Sequence, residues 1–404
     1  MAKKHNRLQG GQGSHWLQLS LGLVGSLLIL AARKPDAFAN PQFWAEDAYF
    51  FERNYTLGFS AFFLQYNGYL HLIPRLIAWL SSWLDPLRVP AGFVGLSLLC
   101  TLYIAGLTFS ARHPFKRSLV YLFPVVLIPD AGEVLLNPTN LQSILVAGLV
   151  LILISRDATS GWQMAHDAIA LVLIGLTGPH VVVLAPMFAF RAFVRKSRYS
   201  LILALLVSGL AITQGSNIFS HPLPAQSADL IHPEYALPVV GLRIFSSVFF
   251  GGHITSTLPI SVTSGLGVLT VLLVTILAAR PGPCRRERVL LALSFVALVA
   301  ATLFRMRFAL ESSLGSGFGS RYYYTPQLLV VWLLVTALGD TSKMVHRVSA
   351  VILMVSLIAN VARLRENPMV DLNWELYADR IRNHERVVVP VNPVGWNLPL
   401  NTEK

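Results

Sequence analysis

Two carboxylates stand side by side within an aromatic run, Phe43-Trp44-Ala45-Glu46-Asp47-Ala48-Tyr49-Phe50-Phe51, in a chain that is otherwise overwhelmingly apolar. An acid pair at a membrane surface can hold a divalent cation or take a proton from an attacking hydroxyl. The alternative is a solvated pair beside an aromatic interface belt. A second acidic spot lies in Pro129-Asp130-Ala131-Gly132-Glu133. One loop rarely supplies a full set of metal ligands, so Asp47, Asp130 and Glu133 together are candidate ligands for Mg²⁺ or Mn²⁺. Simple solvation of a helix end explains Asp130 and Glu133 as well, and Asn137 and Asn140 nearby are polar partners or caps of the next helix.

The complementary chemistry is cationic. Arg305, Arg307 and Arg321 bracket a loop containing Gly315-Ser316-Gly317-Phe318-Gly319. Arginine grips phosphate with a planar fork, and glycines let backbone N–H groups approach an anion. This loop is therefore a candidate phosphate or pyrophosphate site, although Arg321-Tyr322-Tyr323-Tyr324 could serve only as an interface anchor. His71 and Arg75 are four residues apart and share a helix face. Arg75 could meet a headgroup or substrate phosphate, or only snorkel to the interface. His180, His221, His232 and His253 have no zinc-motif spacing, and each reads most simply as a hydrogen-bonded structural residue. Arg243, in the stretch 237–252, could help bind a lipid phosphate. Walker A, nucleophile-elbow and dinucleotide motifs are absent from the sequence, which argues against soluble nucleotide-driven chemistry.

The elements that must position these groups are membrane helices. The 404 residues are 54% hydrophobic and 13% charged, about half the charge of a soluble domain, which is roughly 25%. Mean hydropathy is +0.57, and apolar runs recur throughout, as in an all-α polytopic bundle. Cys100 lies in an apolar span and Cys284 in a basic loop, so no disulfide framework is expected. The net charge of +12 reads as basic cytoplasmic loops; no interleaving of aromatic and basic residues supports a nucleic-acid partner.

A short basic N-terminus precedes an apolar run over 16–32, and Arg33-Lys34-Pro35 offers no small-residue cleavage site. This predicts a retained first span with a cytoplasmic N-terminus. Ten further spans are expected near 91–110, 118–130, 139–155, 166–178, 180–193, 199–215, 258–279, 287–304, 322–339 and 344–362. That makes about eleven, with a Trp-rich interfacial helix at 76–84. This threading puts 17 basic and four acidic residues (Asp157, Asp167, Glu287, Asp340) in the cytoplasm, against 15 basic and 16 acidic residues outside, the expected positive-inside bias. The expected organisation is a transmembrane module over 1–362, whose first outer loop (33–90) carries the acids, and a short extracytoplasmic tail over 363–404.

Taken together, Phe43-Trp44-Ala45-Glu46-Asp47, Gly68-Tyr69-Leu70-His71-Leu72-Ile73-Pro74-Arg75, Ser320-Arg321-Tyr322-Tyr323 and Pro390-Val391-Asn392-Pro393-Val394-Gly395-Trp396 resemble the GT-C superfamily of integral-membrane glycosyltransferases. More closely they resemble bacterial GT-C-like membrane proteins, some of them similar to glucosyltransferases that modify O-antigen. The resemblance covers landmarks rather than the continuous chain. It implies transfer of a sugar from a polyprenyl-phosphate carrier to a glycan or lipid-linked acceptor on the outer face of the bacterial cytoplasmic membrane. It makes Asp47, with Glu46 the alternative, the general base or a metal ligand. It makes Asp130 or Glu133 the second-loop acid, and Arg305, Arg307 or Arg321 the contacts to the carrier phosphate. Many members end in a sizeable soluble domain, whereas this tail is short, so acceptor recognition has no evident element. The competing readings are a lipid-linked glycan flippase, which needs ionisable groups along a path through the bundle, and a non-catalytic envelope-assembly protein.

Overall fold

The computed structural model describes residues 2–113, 118–129, 131–221, 231–251, 258–282, 284–315, 319–340 and 342–400, with side chains from residue 15 onward except that of Ser118. Two short helices, Gln142–Ile154 and Tyr324–Ala337, occupy its middle, and their composition explains why. Both are apolar on every side and carry no charged residue. A helix without a polar face has to be enclosed, and every residue of Ser143–Ile154 and of Tyr324–Ala337 is buried. They rise only about 20 Å, less than the roughly 30 Å of a hydrocarbon core. Surrounded by protein, they need not match the lipid. Buried polar groups tie them in place: Trp332 Nε1 donates to Tyr121 O at 2.9 Å, Thr325 Oγ1 to Ser143 O at 2.5 Å, and Tyr324 OH to Val125 O.

Longer helices surround this pair. His15–Arg33, Pro86–Leu107, Arg198–Ser220, Ile260–Ala279, Arg285–Arg305 and Lys343–Val361 are each long and apolar enough to cross a membrane. Their outer faces are stripes of exposed apolar side chains, such as Leu17, Leu21, Val24 and Leu28 on the first and Val351, Met354, Val355 and Ile358 on the last. Such stripes suit lipid and not water. The chain is 71% helical, an all-α bundle of the kind a multi-pass membrane protein has. The remaining stretches expected as spans also fold as helices, but shorter ones: Ser118–Leu122 with Pro124–Leu127, Gln142–Ile154, Gly161–Gly175, His180–Arg195 and Tyr324–Ala337. The first of these is interrupted at Pro124, which has no N–H to continue the ladder. The stretch Ala236–Phe250 is helical with a π-helical turn at Gly241–Ser246. It presses so closely on Ile260–Ala279 that a Cβ at Gly241 would stand 1.8 Å from Thr263 O.

The charged residues segregate to two ends. At one end, Arg112 pairs with Asp167 at 2.7 Å, Arg191 and Arg195 with Asp157 at 2.9 and 3.0 Å, Arg195 with Glu287 at 3.7 Å, and Arg280 with Asp340 at 3.0 Å. These are the four acids that the threading places with the basic loops. The first loop and the chain's last part share the other end. There, Arg33 pairs with Glu366 at 2.6 Å and Arg382 with Asp85 at 2.8 Å, and the Trp374 ring packs edge-on against Phe43, centroids 4.8 Å apart. An antiparallel hairpin, Val387–Val391 with Trp396–Leu400, is the sheet among the described residues.

The helix expected at 76–84 begins earlier, at Leu72, and ends at Ser81. It is amphipathic: Ile73, Ile77 and Ala78 are buried, while Leu80 and the following Trp83 are exposed. This is the pattern of a helix lying along an interface.

Candidate active site

The acid pair sits where an irregular segment turns into a helix. Ala45 has φ +40°, a conformation that L-residues rarely adopt. The turn is held from outside: Asn392 N donates to Phe43 O at 3.1 Å, and Ala45 N donates to Asn392 O. The Asn392 side chain is in turn clamped, donating to Val370 O at 3.0 Å and accepting from Val370 N at 2.9 Å. Glu46 then caps the helix Asp47–Leu57. Asn67 (φ +53°) and Leu136 (φ +60°) lie in the other two segments that touch the pair, so three of the six described non-glycine residues with positive φ flank one site. Backbone strain of this kind concentrates where function requires it.

Asp47 is almost fully buried. Its Oδ1 accepts from Thr139 Oγ1 at 2.6 Å and from Thr139 N at 3.2 Å, and its Oδ2 accepts from Trp44 N at 3.2 Å. Burial raises its pKa to about 7, against the opposing pull of the Thr139 and Trp44 hydrogen bonds and with a further push from the Glu46 charge. A carboxylate titrating near neutrality suits proton transfer. Glu46, half-buried, accepts from Tyr66 OH at 3.1 Å. Tyr66 and Tyr69 are locked by a reciprocal backbone pair across the Asn67-Gly68 turn, at 3.0 and 3.3 Å. Tyr69 OH receives Gln142 Nε2 at 3.4 Å, and Gly178 lets Gln142 lie there, since a Cβ would be 2.4 Å from its Oε1.

The cationic side meets this acidic one. Arg321 directs both its backbone N and its Nη1 at Glu133 Oε2, each at 3.4 Å. It also lies within electrostatic reach of Glu46. Arg305, exposed at the end of its helix, and Arg321 both act on the buried Tyr69 hydroxyl. Residues more than 250 positions apart thus converge at one end of the bundle: Glu46, Asp47 and Glu133 with Arg321 and Arg305, with Tyr66, Tyr69 and Tyr322 among them.

The other expected members have different surroundings. Arg307, grouped with the phosphate contacts by its position in the loop, is sandwiched over Phe304 and Phe308, 4.3 Å from each centroid, with Nη1 on Phe304 O at 2.8 Å. Arg75 is fully enclosed against the rings of Tyr49 and Phe50, at 5.4 and 4.8 Å, and its Nε and Nη1 have no hydrogen-bond partner. His71 is buried, stacked 4.4 Å from Tyr69, and burial pushes its pKa down to about 3. It is a neutral structural residue at the start of Leu72–Ser81 and cannot offer positive charge to a phosphate. His180 begins the helix His180–Arg195, beside Thr177, whose hydroxyl accepts from Ile73 N at 2.9 Å. Asp130, His253 and residues 316–318 lie outside the described residues.

The divalent-cation reading has no geometric support among the described residues. No three of His, Cys, Asp and Glu gather there, the Asp47 oxygens are taken by neutral donors, and Glu133 faces Arg321. Asp47 and Glu133 do not form a ligand set with what is described.

An apolar groove of about 300 Å³ opens between helices at Leu119, Phe123, Leu127, Pro129, Val331 and Leu353. Pro129 on its wall is four residues along the chain from Glu133, a separation of at most about 14 Å.

Compared with models of protein families, with curated proteins and with solved structures, the chain has no match. The functional reading rests on the residues themselves.

Proposed function

We infer that the protein is an integral-membrane glycosyltransferase of GT-C type. It moves a sugar from a polyprenyl-phosphate carrier to an envelope glycan or lipid-linked acceptor on the outer face of a bacterial cytoplasmic membrane. In this reading the chain crosses the membrane about eleven times, N-terminus inside and C-terminus outside. The five shorter helical segments complete the crossings, and Gln142–Ile154 and Tyr324–Ala337 can be short because protein rather than lipid surrounds them.

The observation that carries the reading is the meeting of acids and arginines from distant loops at one end of the bundle; an apolar groove lined in part by Pro129, four residues from Glu133 in the chain, supports it. The acceptor hydroxyl gives its proton to Asp47, with Glu46 the alternative base. The acceptor oxygen bonds to the sugar's anomeric carbon, and the bond from that carbon to the phosphate oxygen breaks. The lipid phosphate leaves with the electron pair. Arg321 and Arg305 offset the charge that develops on it, and the groove accommodates the lipid chain. Asp47, neutral or ionised in comparable amounts near pH 7, can accept this proton and then release it.

A flippase would need ionisable groups through the centre, and the two axial helices carry none. The enzyme reading is tested with the purified chain in lipid nanodiscs, measuring release of polyprenyl phosphate from a panel of polyprenyl-phosphate hexoses and pentoses. Release by the wild type, lost in Asp47→Asn with the fold intact, is expected. Equal release by both proteins contradicts it.

A further inference from the structure

A second concavity, unused by the chemistry above, lies between the helix Asp47–Leu57 and the C-terminal hairpin. It is a cleft of about 620 Å³, within the range of small-ligand sites and larger than a single ion needs. Tyr49, Glu52, Arg53 and Arg386 line one part of it, and apolar hairpin residues, Val388 and Leu398 among them, line the other. A sugar chain presents that same division, with hydroxyl edges for guanidinium and carboxylate groups and C–H faces for an apolar wall. The balance of charge is positive. Arg53 pairs with Glu52 at 3.3 Å, yet the Arg53 side chain is 45% exposed and that of Glu52 only 11%. Buried Arg75 lies against the Tyr49 ring and hydrogen-bonds with the Tyr49 side chain.

The cleft is coupled to the acid pair by its own walls. Tyr49, Glu52 and Arg53 share one face of the helix that Glu46 caps, at i, i+3 and i+4. Glu52 lies about 9 Å along the axis from Glu46. The Tyr49 ring stands 5.1 Å from the ring of Tyr66, whose hydroxyl holds Glu46. The opposite wall is the hairpin, which Asn392 fastens to the strand leading into Glu46.

We propose that this cleft binds the acceptor glycan, and that it prefers a segment carrying acidic sugars to a neutral one. The proposal rests on the glycosyltransferase reading for the word acceptor, but glycan binding can be measured without any transfer. A glycan seated there would place its end one or two rings from the carboxylates.

The test uses the full chain in nanodiscs, titrated calorimetrically with trigalacturonic acid and, separately, with maltotriose. Trigalacturonate is expected to bind at least tenfold more tightly than maltotriose. The double variant Arg53→Ala/Arg386→Ala, both exposed side chains, should lose at least tenfold in affinity. Val388→Trp, which fills the cleft from an exposed position, should do the same by a route that leaves the charges alone. Absence of trigalacturonate binding, affinity equal to that for maltotriose, or binding indifferent to both cleft variants overturns the proposal. If Asp47→Asn abolishes carrier turnover while trigalacturonate fails to bind, the cleft assignment falls alone. If the probe binds and Asp47→Asn turns over carrier normally, the enzyme reading falls and a glycan-binding site remains.

Discussion

Thr139→Val tests whether Asp47 is the proton acceptor, because it removes one hydrogen bond from that carboxylate and little else. Valine matches threonine in shape and keeps the backbone N–H that donates at 3.2 Å, so the variant loses only the 2.6 Å hydroxyl contact. That contact favours the ionised form. A hydrogen bond to a charged group is worth about 1.5–3 kcal/mol, and at 1.36 kcal/mol per pH unit its loss moves the titration upward by about one to two pH units. From a midpoint of about 7, the fraction ionised at pH 7 falls from about half to between a tenth and a hundredth, so the transfer rate falls roughly 5- to 50-fold. Raising the pH should recover most of it. Two readouts check this: the pH–rate profile of transfer, and infrared titration of the protonated carboxyl band identified by its loss in Asp47→Asn. Both midpoints should move up together. A rate loss of the same size at every pH, or an infrared midpoint that stays put or moves down, refutes the reasoning.

Further outcomes follow from the same contacts. Asp47 titrates at about 7 when folded and at 3.8 ordinarily, so between these values the folded state holds the extra proton. Its contribution to stability therefore falls as pH rises from about 4 to about 7 and is flat outside that window; thermal unfolding of Asp47→Asn should gain on the wild type across it, by at most roughly 4 kcal/mol. Asn392→Ala removes two hydrogen bonds to the exposed Val370 N and O, each worth about 0.5–1.5 kcal/mol, and it loosens the Ala45 turn. Melting temperature and transfer rate should both drop. Arg321→Ala should lower the transfer rate by about 10²–10³, as loss of one charge-stabilising donor does, whereas Arg307→Ala, removed from the site by its two phenylalanines, should leave it close to wild type in the same assay.

What could be read from residue order follows from the range of the forces involved. Helix positions are set by runs of apolar residues, and each expected span has a helical counterpart. Their lengths depend on whether lipid or protein surrounds them, and no periodicity in Gln142–Ile154 or Tyr324–Ala337 announces which. The acids and arginines could be picked out by type and placed at one end by counting loops. Their approach to one another could not, since Glu133 and Arg321 are 188 residues apart in the chain. Thr139 and Tyr66 gave no advance signal, since a threonine that stabilises a carboxylate looks like any other threonine; Asn392 stood in a landmark of the resemblance, but its hold on the Ala45 turn from the far end of the chain could not be read from residue order. His71 and Arg307 went the other way. Each has the right chemistry by type, and neighbouring aromatic rings divert it. Of the three candidate metal ligands, Asp47 accepts from neutral donors and Glu133 faces Arg321, while Asp130 lies outside the described residues.

The central claim is that Glu46 and Asp47, facing Arg321, form a centre that moves sugars. It is tested most directly in the native cell by replacing the chromosomal copy with the Asp47→Asn allele and comparing envelope glycans by mass spectrometry with wild type and a clean deletion. With the variant protein at wild-type level in the membrane, the account predicts that one sugar residue is missing from an envelope glycan in both mutant and deletion. A deletion that lacks a sugar while the Asp47→Asn cells retain it in full would contradict the account.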